Sequence, residues 1–300
     1  MSGSAQTSGA ASVSVKTGTV PETPLRRARR RLKARKAAMF GLVVIVALVL
    51  IAIFAPLIAP HDPIRQSWTA VRKAPSALYW FGTDEVGRDL FSRVIYGTRA
   101  SLAAGVISVG IAVALGVPLG LLAGYGPRWV DTILSRITDA MLASPFLILA
   151  IALAAFLGPS LTNAMIAIGI TATPIFIRLT RGQVLAVKVE DYVESARAVG
   201  NPRWRIAVRH ILPNVMPQLL VQITLTIATA VIAEASLSFL GLGQQPPAPS
   251  WGSMLNSAQR FLTNAPWMAI WPGVAIFITV LSFNLLGDGL RDAFDPRERG

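Results

Sequence analysis

Two carboxylates, Asp139 and Glu234, stand inside apolar runs long enough to cross a membrane. An ionisable group in such a run is expensive and usually faces a bundle interior or a wet path. Groups of this kind serve channels, proton-coupled carriers and substrate contacts. Asp139 has Arg136 three residues earlier, so a pair within one helix accounts for it. Glu234 has no helical neighbour of opposite charge. Its position near the end of its run leaves two readings open: contact with substrate on a translocation path, or hydrogen bonding to a neighbouring helix. Nothing else has the spacing of a reaction centre. His61 and His210 are too far apart in topology to share a metal, and the absence of cysteine excludes disulfides and thiolate sites. No Gly-rich loop ending in Gly-Lys-Ser/Thr is present to cradle phosphates. The chain is therefore expected to be no enzyme, with no cofactor or metal of its own.

A second kind of chemistry, contact with a partner, is written in Glu190–Asn214. Glu190 and Asp191 place acids at a helix start, where the dipole favours them. Tyr192, Val193, Ala196 and Val199 recur at three- and four-residue spacing and predict one apolar face. Gly200 fits a left-handed stop, and Pro202 prevents continuation. Ser195, Ala196 and Ala198 are small enough to let another surface approach. The residues alone fit two arrangements equally: a lever that meets a soluble partner, and an amphipathic helix lying on lipid.

The elements that must position these residues are membrane spans. Hydrophobic residues make up 53% of the 300 positions and charged ones 14%, well below the quarter or so usual in soluble domains. The net charge of +13 raises the question of nucleic acid. However, nine of the 28 basic residues precede the first apolar run, and no aromatic-interleaved basic face is present to stack bases. Residues 1–36 read as a disordered basic tail. Ala37–Pro60, 24 residues without a charge, is about 36 Å as a helix and reads as a retained first span rather than a signal peptide. Further spans are expected between Arg99 and Arg128, from Ile133 to Gly158-Pro159-Ser160, over Leu161–Leu179, over Val215–Leu242 and over Trp267–Gly287. An external loop over 61–97 with an amphipathic segment, a five-helix core over 98–288, a loop over 181–214 and a tail over 289–300 complete the organisation. With the N-terminus inside, 21 of the 28 basic residues fall on cytoplasmic segments and 7 on external ones. That bias predicts both termini in the cytoplasm.

Several segments together resemble one family. Glu194, Ala196, Gly200, Leu212 and Pro213 match, in register, the Glu-Ala-Ala, three residues, Gly pattern followed nine residues later by Ile-x-Leu-Pro. Ser195 replaces the first alanine, and His210 stands where isoleucine is usual. Phe81–Asp89 with Ser92-Arg93, Glu234–Gly243 with Pro246–Gly252, and Asn284–Asp292 with Asp295-Pro296 extend the likeness over about residues 35–297. The chain resembles permeases of binding-protein-dependent ABC importers, and within them the C-type permease of dipeptide, oligopeptide and nickel importers.

That resemblance implies an all-α, polytopic membrane protein with six transmembrane helices and the type I ABC importer permease fold. It implies an ATPase-coupling motif of Glu194, Ser195, Ala196, Gly200, Leu212, Pro213 and Asn214. The partners it implies are a second homologous permease, two ATP-binding subunits that carry ATP and magnesium, an external substrate-binding protein and membrane lipid, with no nucleic acid. The setting is the bacterial cytoplasmic membrane, and the substrates of similar permeases are peptides, glutathione and nickel chelates. A self-sufficient channel or proton-coupled carrier using Glu234 and Asp139, or a membrane-embedded hydrolase, competes with this reading. Neither accounts for the coupling segment.

Overall fold

The computed structural model describes residues 30–294. Among them no strand forms, and extended pairing is limited to a bridge between Thr83 and Asp89. The first charge-free run makes α1, Lys36–Ile53, which breaks at Phe54 ahead of Pro56 and continues as the turn Ala55–Ile58. Phe40, Val43, Val46 and Leu50 point outward, Ile45 and Leu48 pack against the core, and Ala38 and Gly41 are buried. Residues 30–34, expected to be disordered, are helical. Residues 1–29 of that tail, and residues 295–300, lie outside the described residues.

α2, Leu90–Tyr125, is a 36-residue helix starting nine positions before the expected span. The early start has a local cause: Asp89 caps the helix, accepting from the Ser92 N–H at 3.0 Å and the Ser92 hydroxyl at 2.6 Å. The segment before it, residues 61–89, contains one short helical turn, Trp68–Ala70. Otherwise it is an irregular loop in which Asp84 accepts from the Val86 and Arg88 backbone N–H groups.

The expected third span is also corrected. It is two helices, α3 (Arg128–Leu142) and α4 (Phe146–Leu157), bent by 93°. Pro145 lacks an N–H and disfavours helical backbone at Ser144, so the helix ends there. The turn at Gly158-Pro159-Ser160 forms as expected, with Gly158 at φ +93° and Ser160 capping α5, Leu161–Val187.

α5 runs eight residues beyond Leu179 because its two arginines find acids on α3. Arg181 makes a two-pronged pair with Asp131 at 2.5 and 2.9 Å, and Arg178 meets Asp139 at 2.6 Å. The expected pairing of Asp139 with Arg136 does not form. After α6 (Asp191–Ala198) come α7 (Leu212–Phe239), α8 (Trp251–Ala258) and α9 (Trp267–Phe294). Residues 289–294, expected in a tail, are the last turns of α9.

Among the described residues five helices are long and apolar enough to cross a membrane, or six crossings if the bent pair counts as one span. α2 and α5 form the principal contact, with α7 against both and α9 between α1 and α7. Gly116, Gly120 and Gly124 of α2 set the closeness of the first contact. A Cβ there would lie 2.5 Å from Phe176 Cβ, 2.6 Å from Thr180 Cβ and 2.6 Å from Val184 Cβ. Small residues at a spacing of four let two helix backbones approach in this way. Arg35 and Asp292 form a 2.6 Å ion pair, so the two ends of the described chain meet at one end of the bundle.

Candidate functional site

Helices α2, α5 and α9 end, and α7 begins, at the end of the bundle where residues 188–211 fold into a hook. Its helix α6 begins after Glu190, with Asp191 and Glu194 in the first turn where the dipole favours acids. Gly200, at φ +78°, reverses the chain. The reversal lets the Asn201 N–H donate to Ala196 O at 3.3 Å and the Gly200 N–H to Arg197 O at 3.0 Å, a glycine-terminated helix end. The Asn201 side chain donates to the same Ala196 carbonyl at 3.1 Å.

The expected apolar face of α6 divides in two. Val193 and Ala196 are buried with Val184, Ile206 and Ile211 in the core of this chain. Tyr192 and Val199 point outward, Val199 being 78% exposed. At 100° per residue, positions 192, 195 and 199 form one stripe and positions 193 and 196 another, about a quarter-turn away. Ala196 is thus a packing residue, unavailable to a partner. The outward stripe is Tyr192, Ser195 and Val199, with Glu194 and Ala198 also exposed. Burial, and then the Glu190 carboxylate, raise the Tyr192 phenol, so the stripe carries no charge of its own near neutrality.

Beyond Pro202 the chain turns through Arg203–Ile206 and a π-helical turn, Ala207–Ile211, into α7. Pro213 cannot donate into this ladder, and the Asn214 amide donates to His210 O at 2.7 Å. Leu212, Pro213 and Asn214 therefore fix how α6 is joined to α7. The Arg181–Asp131 pair fastens α3 to α5 on the other side of the hook. Sequence reading missed it because the partners are 50 residues apart.

Glu234 lies near the opposite end, 0% exposed. The Ser101 hydroxyl on α2 donates to its Oε2 at 3.0 Å and the Ser238 hydroxyl to its Oε1 at 2.7 Å, with the Ser250 hydroxyl close by. Ser238 Oγ also accepts from the Gln244 N–H at 3.0 Å, and Ser250 caps α8. The carboxylate thus joins α2, α7 and the start of α8, and in this conformation it lines no open path. Around it, Arg93 donates to Pro63 O at 2.8 Å and Pro247 O at 3.3 Å, tying the 61–89 loop to the 244–250 turn.

Comparison with known proteins agrees with this architecture. Residues 116–300 match the family described as binding-protein-dependent transport system inner membrane component. Residues 23–75 match the N-terminal TM domain of oligopeptide transport permease C. The dipeptide transport system permease protein DppC of Alkalihalophilus pseudofirmus is 48% identical over 275 residues, covering 92% of this chain and 90% of the relative. The glutathione transport system permease protein GsiD of Pectobacterium atrosepticum is 45% identical over 276 residues, covering 92% of each. Among solved structures, a chain of the inward-facing MetNI methionine ABC transporter superposes with a TM-score of 0.57 over 67% of this chain and 96% of that one. At 22% identity that likeness speaks for the fold.

Proposed function

The chain belongs to the family of inner-membrane components of binding-protein-dependent transport systems, and on that premise we propose that it forms half of a peptide path and couples that path to ATPase subunits through α6. It is a multi-pass permease subunit of an ATP-driven importer. In the proposed assembly a second, similar permease completes the path. Two ATP-binding subunits, which hold ATP and magnesium, lie in the cytoplasm, and a substrate-binding protein docks outside. The dipeptide and glutathione relatives favour small peptides as the cargo.

The observation that carries the proposal is the hook. Its helix presents Tyr192, Ser195 and Val199 outward while Val193 and Ala196 anchor it to the core. A force on the outward stripe is therefore passed into the core and, through the turns at 203–211, to α7, as a two-state switch between inward- and outward-open bundles requires. The carrier reading, by contrast, needs Asp139 and Glu234 to share a path. Asp139 is in an exposed pair with Arg178 on the coupling side, and Glu234 is sealed near the other end.

Gly200→Val tests the coupling role. A Cβ there meets no atom within 4 Å, so the cost is that of the backbone alone. At φ +78° a β-branched residue is disfavoured by about 1–2 kcal/mol, enough to fray the end of α6. The variant should insert normally while the ATPase subunits fail to co-purify and uptake falls. Normal assembly and uptake would remove α6 from the coupling role.

Orientation has its own test. Single cysteines at Ser76→Cys and Gln259→Cys should react with an impermeant maleimide added to intact cells, and one at Ala198→Cys should not. All three positions are exposed, and the native chain contains no cysteine. Labelling of Ala198→Cys from outside would reverse the assignment.

A further inference from the structure

The outward faces of the spans differ in kind. On α1 that face carries Phe40, Val46 and Leu50, and on α9 Val274, Phe277 and Leu281, which suit lipid. On α7 positions 218, 222, 225, 229, 232 and 236 are all unburied. At about 100° per residue they fall within roughly 80° of arc and form one stripe. Four of the six are polar: Gln218, Gln222, Thr229 and Ser236. Amides are costly in hydrocarbon, so a span carries them where it faces water or protein.

At the coupling end of this stripe lies a groove of about 440 Å³, a size common among small-molecule sites. Leu179 of α5, Leu225 of α7 and Phe294 of α9 supply apolar wall, and Gln218, Gln222 and Arg291 supply polar groups. Leu179 stands between Arg178 and Arg181, whose ion pairs with α3 make this level of the bundle polar. Among the described residues the side chains of Gln218 and Arg291 have no hydrogen-bond or ion-pair partner. The Gln222 amide donates to Thr226 Oγ1 at 3.0 Å, which leaves its carbonyl oxygen free. The neighbouring acid, Asp292, is held by Arg35, and no acid is among the described residues lining the groove. The groove thus offers one free guanidinium, amide groups and an apolar wall, a set that fits a carboxylate joined to a peptide group. A phospholipid phosphate would also meet Arg291, but its acyl chains would then lie over amides and hydroxyls. A peptide backbone can exchange hydrogen bonds with them.

We infer that this groove binds the carboxylate end of the transported peptide through Arg291, with Gln218 and Gln222 taking its last peptide group. The inference rests on the reading of peptide as cargo and uses no residue of the 188–211 hook. With one cation and no acid, the groove selects for the carboxylate and ignores the ammonium.

The test uses the assembled transporter in phosphatidylcholine nanodiscs, without nucleotide or binding protein, so that bound peptide is on the permeases. Saturation-transfer NMR gives the affinities of alanyl-alanine and of its C-terminal amide. Loss of a hydrogen bond to a charged partner is worth about tenfold. The parent should therefore prefer the free acid about tenfold, and Arg291→Gln should reduce that preference to about twofold or less. Arg291→Lys keeps the charge and should recover part of it. Gln218→Leu should weaken both ligands alike, a pattern distinct from loss of the charge. Both residues are exposed, so the fold should persist. Uptake by the parent is measured in parallel in liposomes with binding protein and ATP. An undiminished preference in Arg291→Gln, with peptide uptake by the parent intact, would overturn the inference and leave the cargo reading standing. A parent that neither binds nor takes up alanyl-alanine or glutathione would overturn the cargo reading and this inference with it. Displacement of alanyl-alanine by added phosphatidylglycerol would also overturn it, assigning Arg291 to a lipid headgroup.

Discussion

Gly120→Val is expected to be the most damaging single substitution in the membrane core. A Cβ at 120 would stand 2.6 Å from Thr180 Cβ, 2.8 Å from Ile177 O and 3.1 Å from Thr180 Cγ2. The nearest obstacles are a backbone oxygen and a β-carbon, neither of which a rotamer change can move. Relief requires α2 and α5 to separate along the contact that also holds Gly116 and Gly124. Overpacking in a core costs about 1–3 kcal/mol when side chains can yield, and the cost here should reach or pass the top of that range. The purified variant should melt far below the parent or fail to accumulate. Gly110 on the same helix has nothing within 4 Å of its Cβ position. Gly110→Val should therefore stay within about 1 kcal/mol of the parent, the scale of helix propensity. Equal melting of the two variants would show that α2 and α5 do not depend on this close approach.

That contact shows what sequence reading can overlook. The four-residue spacing of Gly116, Gly120 and Gly124 was open to inspection. Hydropathy, which found the span, weights all apolar positions alike and ignores which of them must be small. Five of the expected spans were legible because charge-free runs have few alternatives in a membrane. The Gly158 and Gly200 turns were legible because positive φ is a local demand that glycine meets. Where the outcome rested on a distant partner, the reading failed. Asp139 was assigned to Arg136 by spacing, yet Arg178, 39 residues away, takes it. The bend between α3 and α4 was hidden because Ser144-Pro145 changes the direction of the chain without changing its hydropathy. For α6, periodicity found an apolar helix but merged two stripes. Burial of Val193 and Ala196 in the core of the chain separates the anchoring side from the presenting one.

Glu234 yields the second large effect, and its two variants should behave differently. Glu234→Ala removes the acceptor shared by the Ser101 and Ser238 hydroxyls and leaves a void in a site with no exposed surface. Unpaired buried hydroxyls and the cavity together are expected to cost about 2–4 kcal/mol. The loss should appear as a lower melting temperature and looser packing of α8, since Ser238 also holds the Gln244 N–H and Gly252 packs against the Ala235 backbone. Glu234→Gln keeps the shape and one carbonyl acceptor, and its amide can donate to the second serine, because a hydroxyl accepts as readily as it donates. It should melt within about 1 kcal/mol of the parent. Transport then separates the two roles. A latch joining α2, α7 and α8 needs the hydrogen bonds, so peptide uptake by Glu234→Gln should remain near that of the parent while Glu234→Ala loses it. A site that receives the ammonium of a passing peptide needs the negative charge, so uptake would fall in Glu234→Gln even with assembly and ATP hydrolysis intact. The sealed geometry supports the latch, and loss of uptake in a well-folded, fully assembled Glu234→Gln transporter would return Glu234 to the path.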